Sequence, residues 1–370
     1  MGKRFPETAF FLEVVRKQDK ERQAMPSIKE VAAVAKVSQA TVSKVLNNRS
    51  DTQISLATRQ RVREAADRLG YHPSAVARGL AGKRMNAINI VMAYAETSVT
   101  SDPYLGPCLD GILAVCKREQ QKAVLFLEDD WQSAFDRFPA FCDGTSDGVL
   151  LMIPRTDSQV VEVLASRSVP FVLVGDSRED ARMNCVDVDN MSGTRKAIEH
   201  LLALGHRRIA AFAGNEDFCS NGQRMTAYRK ALRDAGLPVD PALIFPGEYH
   251  PEYGERNVRI LLERFAAKDR PTAIFCFCDA IAVGALSELA KAGVDVPGEI
   301  SVVGFDDIPR AATLSPPLTT VRQSVRQVGE CAVELLLSRI GGDVPPGKRI
   351  LLNPEMVLRG STAPPCVVKF

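Results

Sequence analysis

Two short amphipathic stretches, separated by only two residues, constrain the fold of this 370-residue chain more than any other feature. The first stretch repeats apolar residues at helical spacing, at Ile28, Val31, Ala32 and Ala35. Ser38 then suits the N-cap of a second helix, whose apolar side consists of Val42, Val45 and Leu46. Lys36 and Val37 alone separate the two, a gap typical of the helix-turn-helix, so the pattern predicts that motif.

The charge distribution favours a nucleic-acid partner for this segment. A third helix is expected from the N-cap Ser55 to a stop at Gly70, and residues 25–84 carry a net charge of +7. Residues 1–24 carry +2 and residues 85–370 carry −7, so the total of +2 conceals a basic head and an acidic body. The alternative is a small helical bundle with a solvated basic face. Away from the core the second helix presents Gln39, Ala40, Ser43 and Lys44, which suit base edges and phosphates in a major groove.

After residue 85 the pattern changes to short β-rich runs that alternate with amphipathic helices. The predicted strands span 88–93, 123–127, 148–153, 171–174, 185–188, 209–213, 273–278 and 300–305. The predicted helices include 105–120, 194–204, 223–235 and 280–292. Apolar strands that alternate with helices indicate an α/β body with parallel sheets covered on both faces. Its length favours two lobes over one.

Polar residues follow several of these predicted strands. They are Asp189, Asn190, Asp279, Asp306 and Asp307. Ligands of open parallel sheets lie beyond the carboxyl ends of the strands, so these side chains are candidates for a binding site. Together with Arg224 they would suit a hydroxyl-rich ligand, since carboxylates accept and guanidinium donates hydrogen bonds. The alternative for each aspartate is capping of the helix that follows it.

Other classes of function find little support in the sequence. Nine cysteines without a C-x-x-C pair and four histidines without ligand spacing predict neither a metal site nor a cofactor. No nucleophile motif or P-loop indicates an enzyme. The absence of a long apolar span or a secretory signal predicts a cytoplasmic protein without a membrane partner, associated with the nucleoid when it binds DNA. It also argues, with the basic head, against a periplasmic sugar-binding protein.

Several segments of the head and the body closely resemble the motifs of one known protein family. In the head, residues 27–32 (SIKEVA), 37–47 (VSQATVSKVLN), 69–74 (LGYHPS) and 77–81 (ARGLA) resemble the family's headpiece and hinge helix. In the body, residues 205–210 (GHRRIA), 224–228 (RMTAY), 279–284 (DAIAVG), 300–307 (ISVVGFDD), 315–321 (SPPLTTV) and 358–362 (LRGST) look like family signatures in order. The family that they resemble is the LacI/GalR family of bacterial transcription regulators, and the resemblance runs from Ser27 to Thr362.

The resemblance implies roles for individual residues. Gln39, Ala40 and Lys44 would read bases, while Ser38, Thr41 and Ser43 would contact phosphates or backbone. Leu80 matches the hinge leucine that wedges into the minor groove, and Arg78 is placed for that groove or its phosphates. In the body, Arg224 and Asp279 look like a ligand-gripping pair, and Tyr104 and Tyr249 match aromatic residues of the two lobes. Asp306 matches an effector-site carboxylate, and Gln323 lies at a lobe crossover.

The resemblance also implies a homodimer that binds near-palindromic double-stranded operator DNA under the control of a small-molecule effector. A sugar or sugar derivative that relieves repression is expected, and a purine or nucleoside corepressor is the alternative. Only eight residues follow Thr362, which favours a dimer over a tetramer. Some positions depart from the family: Lys36 stands where a glycine is frequent, Cys278 where an asparagine is, and Ala227 where a glycine is, and 96–102 lacks the usual Asn-Pro.

These observations predict five segments. They are an N-terminal extension at 1–26 without order, a headpiece at 27–73, a hinge helix and linker at 74–84, an effector-binding and dimerisation domain at 85–362, and a tail at 363–370. Within that domain, one lobe is expected at about 85–189 plus 323–351, and the other at about 190–322 plus 352–362. The native protein could start at Met25, which would make residues 1–24 an annotation artefact.

Overall fold

The chain divides into two compact units, Met1–Met85 and Asn86–Phe370, here termed the head and the body. The computed structural model describes residues 26–46, 54–71, 84–93, 98–167 and 169–366. The expected extension at 1–24, the alternative start Met25 and most of the hinge segment, including Arg78 and Leu80, lie outside the described residues.

The described part of the head is a bundle of short helices. They are α1 (Ile28–Ala35), α2 (Gln39–Leu46) and α3 (Leu56–Leu69). Ser27 and Glu30 form a capping box at the start of α1, since the Glu30 carboxylate accepts from the Ser27 amide at 2.6 Å and the Ser27 hydroxyl accepts from the Glu30 amide at 3.4 Å. The small core is formed by Val31, Ala32, Ala35, Val42, Val45, Val62, Ala65 and Ala66. The three predicted helices are therefore present at nearly the expected bounds.

Lys36 makes the turn between α1 and α2 in the left-handed conformation. Its φ is 53° and its ψ is 49°, and its amide donates to the carbonyls of Ala32 and Ala33 at the end of α1. This conformation is less stable by about 1 kcal/mol for a residue with a Cβ than for glycine. The turn thus keeps the geometry in which a glycine is frequent and accepts a small strain.

The body begins with a six-stranded parallel sheet, here termed the N-lobe sheet. Its strands are β1 (Ala87–Ala93), β2 (Lys122–Glu128), β3 (Gly148–Met152), β4 (Phe171–Val174), β5 (Asn184–Val188) and β11 (Arg349–Leu352), in the spatial order β11-β5-β4-β3-β1-β2. The helices that belong to it are α4 (Leu105–Arg118), α5 (Trp131–Asp136), α6 (Phe138–Phe141), α7 (Gln159–Ser166) and α12 (Val325–Gly341). Separate apolar clusters cover its two faces.

A second, four-stranded parallel sheet forms the C-lobe. Its strands are β6 (Ile209–Phe212), β7 (Ile244–Phe245), β8 (Ala273–Cys276) and β9 (Ser301–Val303), in the order β7-β6-β8-β9. The helices of this lobe are α8 (Asn190–Ala203), α9 (Cys219–Asp234), α10 (Pro251–Arg264) and α11 (Asp279–Lys291). An antiparallel pair, β10 (Thr320–Arg322) and β12 (Glu355–Val357), lies beside it. The predicted α/β architecture with parallel sheets is confirmed.

The chain passes between the lobes at three places, which lie side by side. They follow β5 at Asp189, β10 at Gln323 and β11 at Asn353. The Asp189 amide donates to the Leu352 carbonyl at 2.9 Å, and the Gln323 amide donates to the Asp306 carbonyl at 3.2 Å. Because both sheets are parallel, these crossovers bring the carboxyl ends of their strands toward one another.

Several strands end earlier than their apolar runs predict. The run at 273–278 forms a strand only over Ala273–Cys276, and the run at 148–153 ends at Met152 because Ile153 has a φ of 50°. The residues beyond these strands remain apolar because they pack in the body or line its cavity. Helices α7, α10 and α12 were not among the predicted helices. The short strands β7 and β10 to β12 were not predicted either, since runs of two to four residues show too little alternation. Among the described helices, none has the combined length and apolarity needed to cross a membrane.

Candidate functional site

The predicted DNA-reading residues lie on and before α2. The Ser38 hydroxyl caps the helix by accepting from the Thr41 amide at 3.1 Å, and the two hydroxyls lie 2.9 Å apart. Val42 and Val45 point into the core and are fully buried, so Gln39, Ala40 and Lys44 are left exposed on the other side. Ser43 and Thr41 are half-buried. The helix therefore presents an amide, a methyl group and an ammonium group together, on a rigid support.

The body contains a cavity of about 560 Å³ between the carboxyl ends of the two sheets. This volume is within the range of sites for small organic molecules. The N-lobe contributes Met92, Tyr104, Met152, Gly175 and Asp187 to its wall, and the C-lobe contributes Phe218, Ser220, Arg224, Tyr249, Cys278 and Asp306. Gln323 reaches the wall from a crossover. The structure thus brings together five of the six predicted effector-site residues: Tyr104, Arg224, Tyr249, Asp306 and Gln323.

Arg224 forms a rigid cationic part of this wall. It belongs to α9, and only 4% of its surface is exposed. Its Nε donates to Asn190 Oδ1 at 2.9 Å, its Nη1 donates to the Phe277 carbonyl, and its guanidinium lies 3.8 Å from the centre of the Phe305 ring. Contacts of this kind hold the planar donor group in one orientation.

Two carboxylates, the buried Asp187 and the half-buried Asp306, face the same cavity. Burial raises the pKa of Asp187 to about 7, although hydrogen bonds and the charge of Arg224 oppose the change. Burial also raises the pKa of Asp306, and Arg224 again opposes it. Near neutral pH each group therefore exchanges between a carboxylate, which only accepts hydrogen bonds, and a carboxyl group, which also donates one.

The backbone that carries Asp306 is strained. Asp306 has a φ of 132° and Asp307 a φ of 61°, values at which a residue with a Cβ costs about 1 to 3 kcal/mol. Gln323 Nε2 donates to Asp306 Oδ1 at 2.5 Å, while the Asp307 carboxylate accepts from Arg322 at 2.7 Å and from Arg359 at 2.6 Å. These bonds hold the turn so that Asp306 faces the cavity. Strain retained in this way is typical of binding sites.

Aromatic side chains form the remaining walls. The Tyr249 ring lies against Gly214, where an added Cβ would come within 2.2 Å of it, and its centroid lies 6.2 Å from that of Phe218. The Tyr249 hydroxyl is 3.4 Å from Ser220 Oγ. The Tyr104 hydroxyl, in contrast, is buried and has no hydrogen-bond partner among the described residues. A buried hydroxyl without a partner on a cavity wall is expected to bond to a ligand.

Asp279 is the predicted effector-site residue that the structure does not bring to the wall. It is fully buried at the start of α11, and its carboxylate accepts from the Thr320 hydroxyl at 2.5 Å and from the Ile308 amide at 3.0 Å. Cys278 and Ala280 on either side of it do line the cavity. Burial raises the pKa of Asp279. Its contacts connect α11 to β10 and to the segment between β9 and β10, so its position fits support of the site better than contact with a ligand.

Several polar or aromatic cavity residues were not among the site residues predicted from the sequence. They include Asp187, Phe218, Ser220 and Cys278. A signal was present for Asp187, because a carboxylate between two valines interrupts an otherwise apolar strand. Phe218 and Ser220 lie around the start of α9 in a segment without a recognisable pattern. Cys278 appeared only as a departure from the family.

Asp189 is a helix cap, which is the alternative role considered for the aspartates that follow strands. Its carboxylate accepts from the Ser192 amide at 2.8 Å and caps α8. The neighbouring Asn190 donates to Asp187 at 2.9 Å and accepts from Arg224, so it supports two residues of the wall. Strand-end polar residues therefore divide into caps and site residues only once the fold is known.

Sequence profiles of two families match the chain. Residues 27–74 match "Bacterial regulatory proteins, lacI family", and residues 198–362 match "Periplasmic binding protein-like domain". Among curated proteins, the chain is 33% identical to "HTH-type transcriptional regulator CelR" of Thermobifida fusca over 347 residues, which is 92% of this chain and 99% of the relative. It is 32% identical to "HTH-type transcriptional repressor PurR" of Photobacterium profundum, over 91% of this chain and 98% of the relative.

Solved structures give the same result. The "transcriptional regulator CelR-cellobiose complex" superposes with a TM-score of 0.70 at 32% identity, over 91% of this chain and 99% of that one. A lac repressor dimer, bound to operator and the anti-inducer ONPF, superposes with a TM-score of 0.79 at 26% identity, over 92% and 100% of the two chains. The similarity therefore extends over head and body alike.

Proposed function

We propose, from the premise that this chain belongs to the LacI family of bacterial regulatory proteins, that the effector bound in its body is a carbohydrate. Family membership makes the chain a DNA-binding transcriptional regulator under the control of a small molecule. The observation that carries the proposal is the cavity wall, which combines aromatic faces with two carboxylates and a fixed guanidinium. Aromatic rings pack against the C–H faces of sugars, and the charged groups bond to hydroxyls.

The relatives offer two classes of effector. The CelR structure contains cellobiose, whereas the PurR relatives carry a name that points to purines. In this chain, Tyr249 and Phe218 are inclined to each other by 45° and do not form the parallel slot that would sandwich a flat base. Two carboxylates on the cavity wall, Asp187 and Asp306, suit several hydroxyl donors. These features favour a sugar over a purine.

A binding panel tests this proposal. Cellobiose, other mono- and disaccharides, purine bases and nucleosides would be added separately, and the thermal unfolding midpoint followed. We expect at least one carbohydrate to raise the midpoint by about 5 °C or more at a hundredfold excess over its Kd, since binding to the folded state stabilises it. Stabilisation by purines alone would contradict the proposal. We further propose that the sugar is bound without turnover, so its recovery unchanged is expected.

For the head, we propose that Gln39, Ala40 and Lys44 contact bases and that Ser38, Thr41 and Ser43 contact the DNA backbone. The exposed side of α2 and the basic charge of the head support this assignment. Arg78 and Leu80 are proposed as minor-groove contacts from their sequence resemblance alone.

We also propose that the protein acts as a homodimer on two half-sites. The described body exposes an apolar strip on α4 and β2, the latter an edge strand of the N-lobe sheet. The strip consists of Leu113, Val124, Leu125 and Leu127, each more than 40% exposed. Contiguous exposed leucines on an edge strand are typical of a subunit interface. A dimer also fits the lac repressor dimer that superposes on the chain.

Gln39→Ala should weaken binding to the selected operator by about tenfold or more, because a lost base contact costs about 1 to 3 kcal/mol. The operator would first be selected from a random-sequence duplex pool. Binding to random DNA should hardly change, since the variant keeps the charge of the head. Gln60→Ala, which removes an exposed amide from α3 instead, is the matched control and should bind as the wild type.

The same DNA titration tests the proposed base contact of Lys44 and the proposed binding of a dimer to two half-sites. Lys44→Ala should weaken operator binding more than random-DNA binding, and a duplex with one half-site should bind much more weakly than one with two. Equal losses on operator and random DNA for both Gln39→Ala and Lys44→Ala would contradict base reading by α2.

A further inference from the structure

We infer that Asp187 determines which carbohydrate the body accepts, by accepting a hydrogen bond from one ligand hydroxyl that also bonds to Tyr104. The inference rests on the proposed function, since it assigns a specificity residue to the same cavity. Neither the family resemblance nor the relatives' names assign this residue a role.

The position of Asp187 in the sheet is the first observation. It lies in β5 between Val186 and Val188, which are fully buried, and only 2% of its own surface is exposed. An apolar residue would be the ordinary occupant of such a position, because a buried carboxylate loses its hydration. The side chain nevertheless reaches the cavity wall at the carboxyl end of the strand.

The hydrogen bonds of the carboxylate leave an acceptor position open. Oδ1 accepts from the Val188 amide at 2.7 Å, and Oδ2 accepts from Ser177 Oγ at 3.2 Å and from Asn190 Nδ2 at 2.9 Å. A carboxylate has about four acceptor positions, two on each oxygen. Within the described residues Oδ1 therefore has one contact fewer than Oδ2.

The Tyr104 hydroxyl supplies the second half of the proposed subsite. It is buried without a hydrogen-bond partner in the described chain, and it lies over Gly175, where an added Cβ would come within 2.6 Å of it. Gly175 follows β4, and its amide donates to the Val186 carbonyl at 2.9 Å, next to Asp187 in β5. A ligand hydroxyl at this point would accept from Tyr104 and donate to Asp187, which would satisfy both groups.

The surroundings hold Asp187 in one orientation. Gln223 of α9 donates to Ser177 Oγ at 2.9 Å and accepts from Asn190 at 3.2 Å, so the C-lobe stabilises both side chains that bond to Oδ2. Asn190 also accepts from Arg224. A carboxylate held by such a network discriminates between ligand geometries better than a mobile one, because it cannot follow a displaced hydroxyl.

The experiment measures the affinity of Asp187→Ala and the wild type for a ligand and its monodeoxy analogues. The ligand is the member of the binding panel that stabilises the wild type most, and cellobiose is the first probe. We expect Asp187→Ala to bind it about tenfold to a hundredfold more weakly. Wild type and variant should bind one of the deoxy analogues with equal affinity, because that analogue lacks the hydroxyl that bonds to Asp187. For the other analogues the variant should still bind more weakly than the wild type.

A purely structural role would lower the affinity for every analogue by the same factor, and that outcome would overturn the inference. Asp189→Ala, which removes a nearby carboxylate that caps α8, is the matched control. It should lower the unfolding midpoint and leave the pattern across the analogues unchanged. Asp187→Asn keeps the size of the side chain and serves if the alanine variant does not fold.

The two proposals fail in different ways. If a purine or nucleoside stabilises the wild type and no sugar does, the proposed function fails. A lower affinity of Asp187→Ala for that purine or nucleoside would then not support a bond to a sugar hydroxyl. The inference alone fails if a sugar binds but wild type and Asp187→Ala differ in affinity for every one of its deoxy analogues. If no member of the panel binds, both are wrong.

Discussion

Replacing Arg224 by methionine should abolish the response to the effector while operator binding is retained. The guanidinium bonds to Asn190, bonds to the Phe277 carbonyl and stacks on Phe305, and it lies near the carboxylates Asp187 and Asp306. Methionine fills much of the same space without the charge or the donors. Loss of one partner in a buried charged arrangement costs about 2 to 5 kcal/mol, so effector affinity should fall by about thirtyfold or more.

The measurement is the effector concentration that half-releases labelled operator DNA, together with the effector Kd from calorimetry. Arg233→Met, at an exposed position of the same helix, is the matched control and should behave as the wild type. An Arg224→Met protein that releases operator at the wild-type effector concentration would show that the cavity is not the effector site.

The same variant should change the dependence of stability on pH. The pKa of Asp187 in the folded chain, about 7, exceeds its ordinary value of 3.8, so the folded state holds this proton to higher pH than the unfolded state. Its contribution therefore makes the protein less stable as the pH rises from about 4 to about 7. Without Arg224 the pKa of Asp187 and of Asp306 should rise further. In the variant, unfolding midpoints should thus keep falling above pH 7, where those of the wild type level off.

In contrast to Arg224→Met, Asp279→Ala should cause a large loss of stability and little change in the effector affinity of the folded protein. The carboxylate is fully buried and accepts from Thr320 and from the Ile308 amide. Its removal leaves two buried donors without a partner and a small cavity, which together cost about 3 to 5 kcal/mol. The unfolding midpoint should therefore decrease by about 6 to 15 °C.

Asp279→Asn separates loss of the charge from loss of the acceptor, because asparagine keeps one acceptor oxygen of nearly the same geometry. It should recover part of the midpoint. If Asp279→Ala unfolds at the wild-type temperature but no longer binds the effector, Asp279 contacts the ligand directly, as the family resemblance implied.

The helices of the head could be predicted almost to the residue, because their signals are local. Ser27 and Ser55 cap the helices that follow them, and the first and third helices end at the left-handed residues Lys36 and Gly70. The buried sides of the first two helices follow from spacing alone, since their core residues belong to the predicted apolar stripes. The parallel sheets of the body were likewise predicted from continuous apolar runs, and the comparison with known proteins confirmed the regulatory function.

The division of polar residues between caps, supports and cavity walls could not be predicted. Asp189, Asp279 and Asp306 all follow strands, yet the first caps a helix, the second bonds inside the C-lobe and the third faces the cavity. The roles of the individual site residues stay predictions until they are tested with the variants above.

The sequence by itself determined the helix-turn-helix, the α/β class of the body and the family, because capping, periodicity and motif order are properties of neighbouring residues. Only the tertiary structure decided which side chains share the cavity. Asp187 and Arg224 come from different lobes, and their meeting depends on the crossovers that bring the ends of two parallel sheets together. A strained φ of 132° turns Asp306 toward them, and a single bond rotation of this kind leaves no pattern in the sequence.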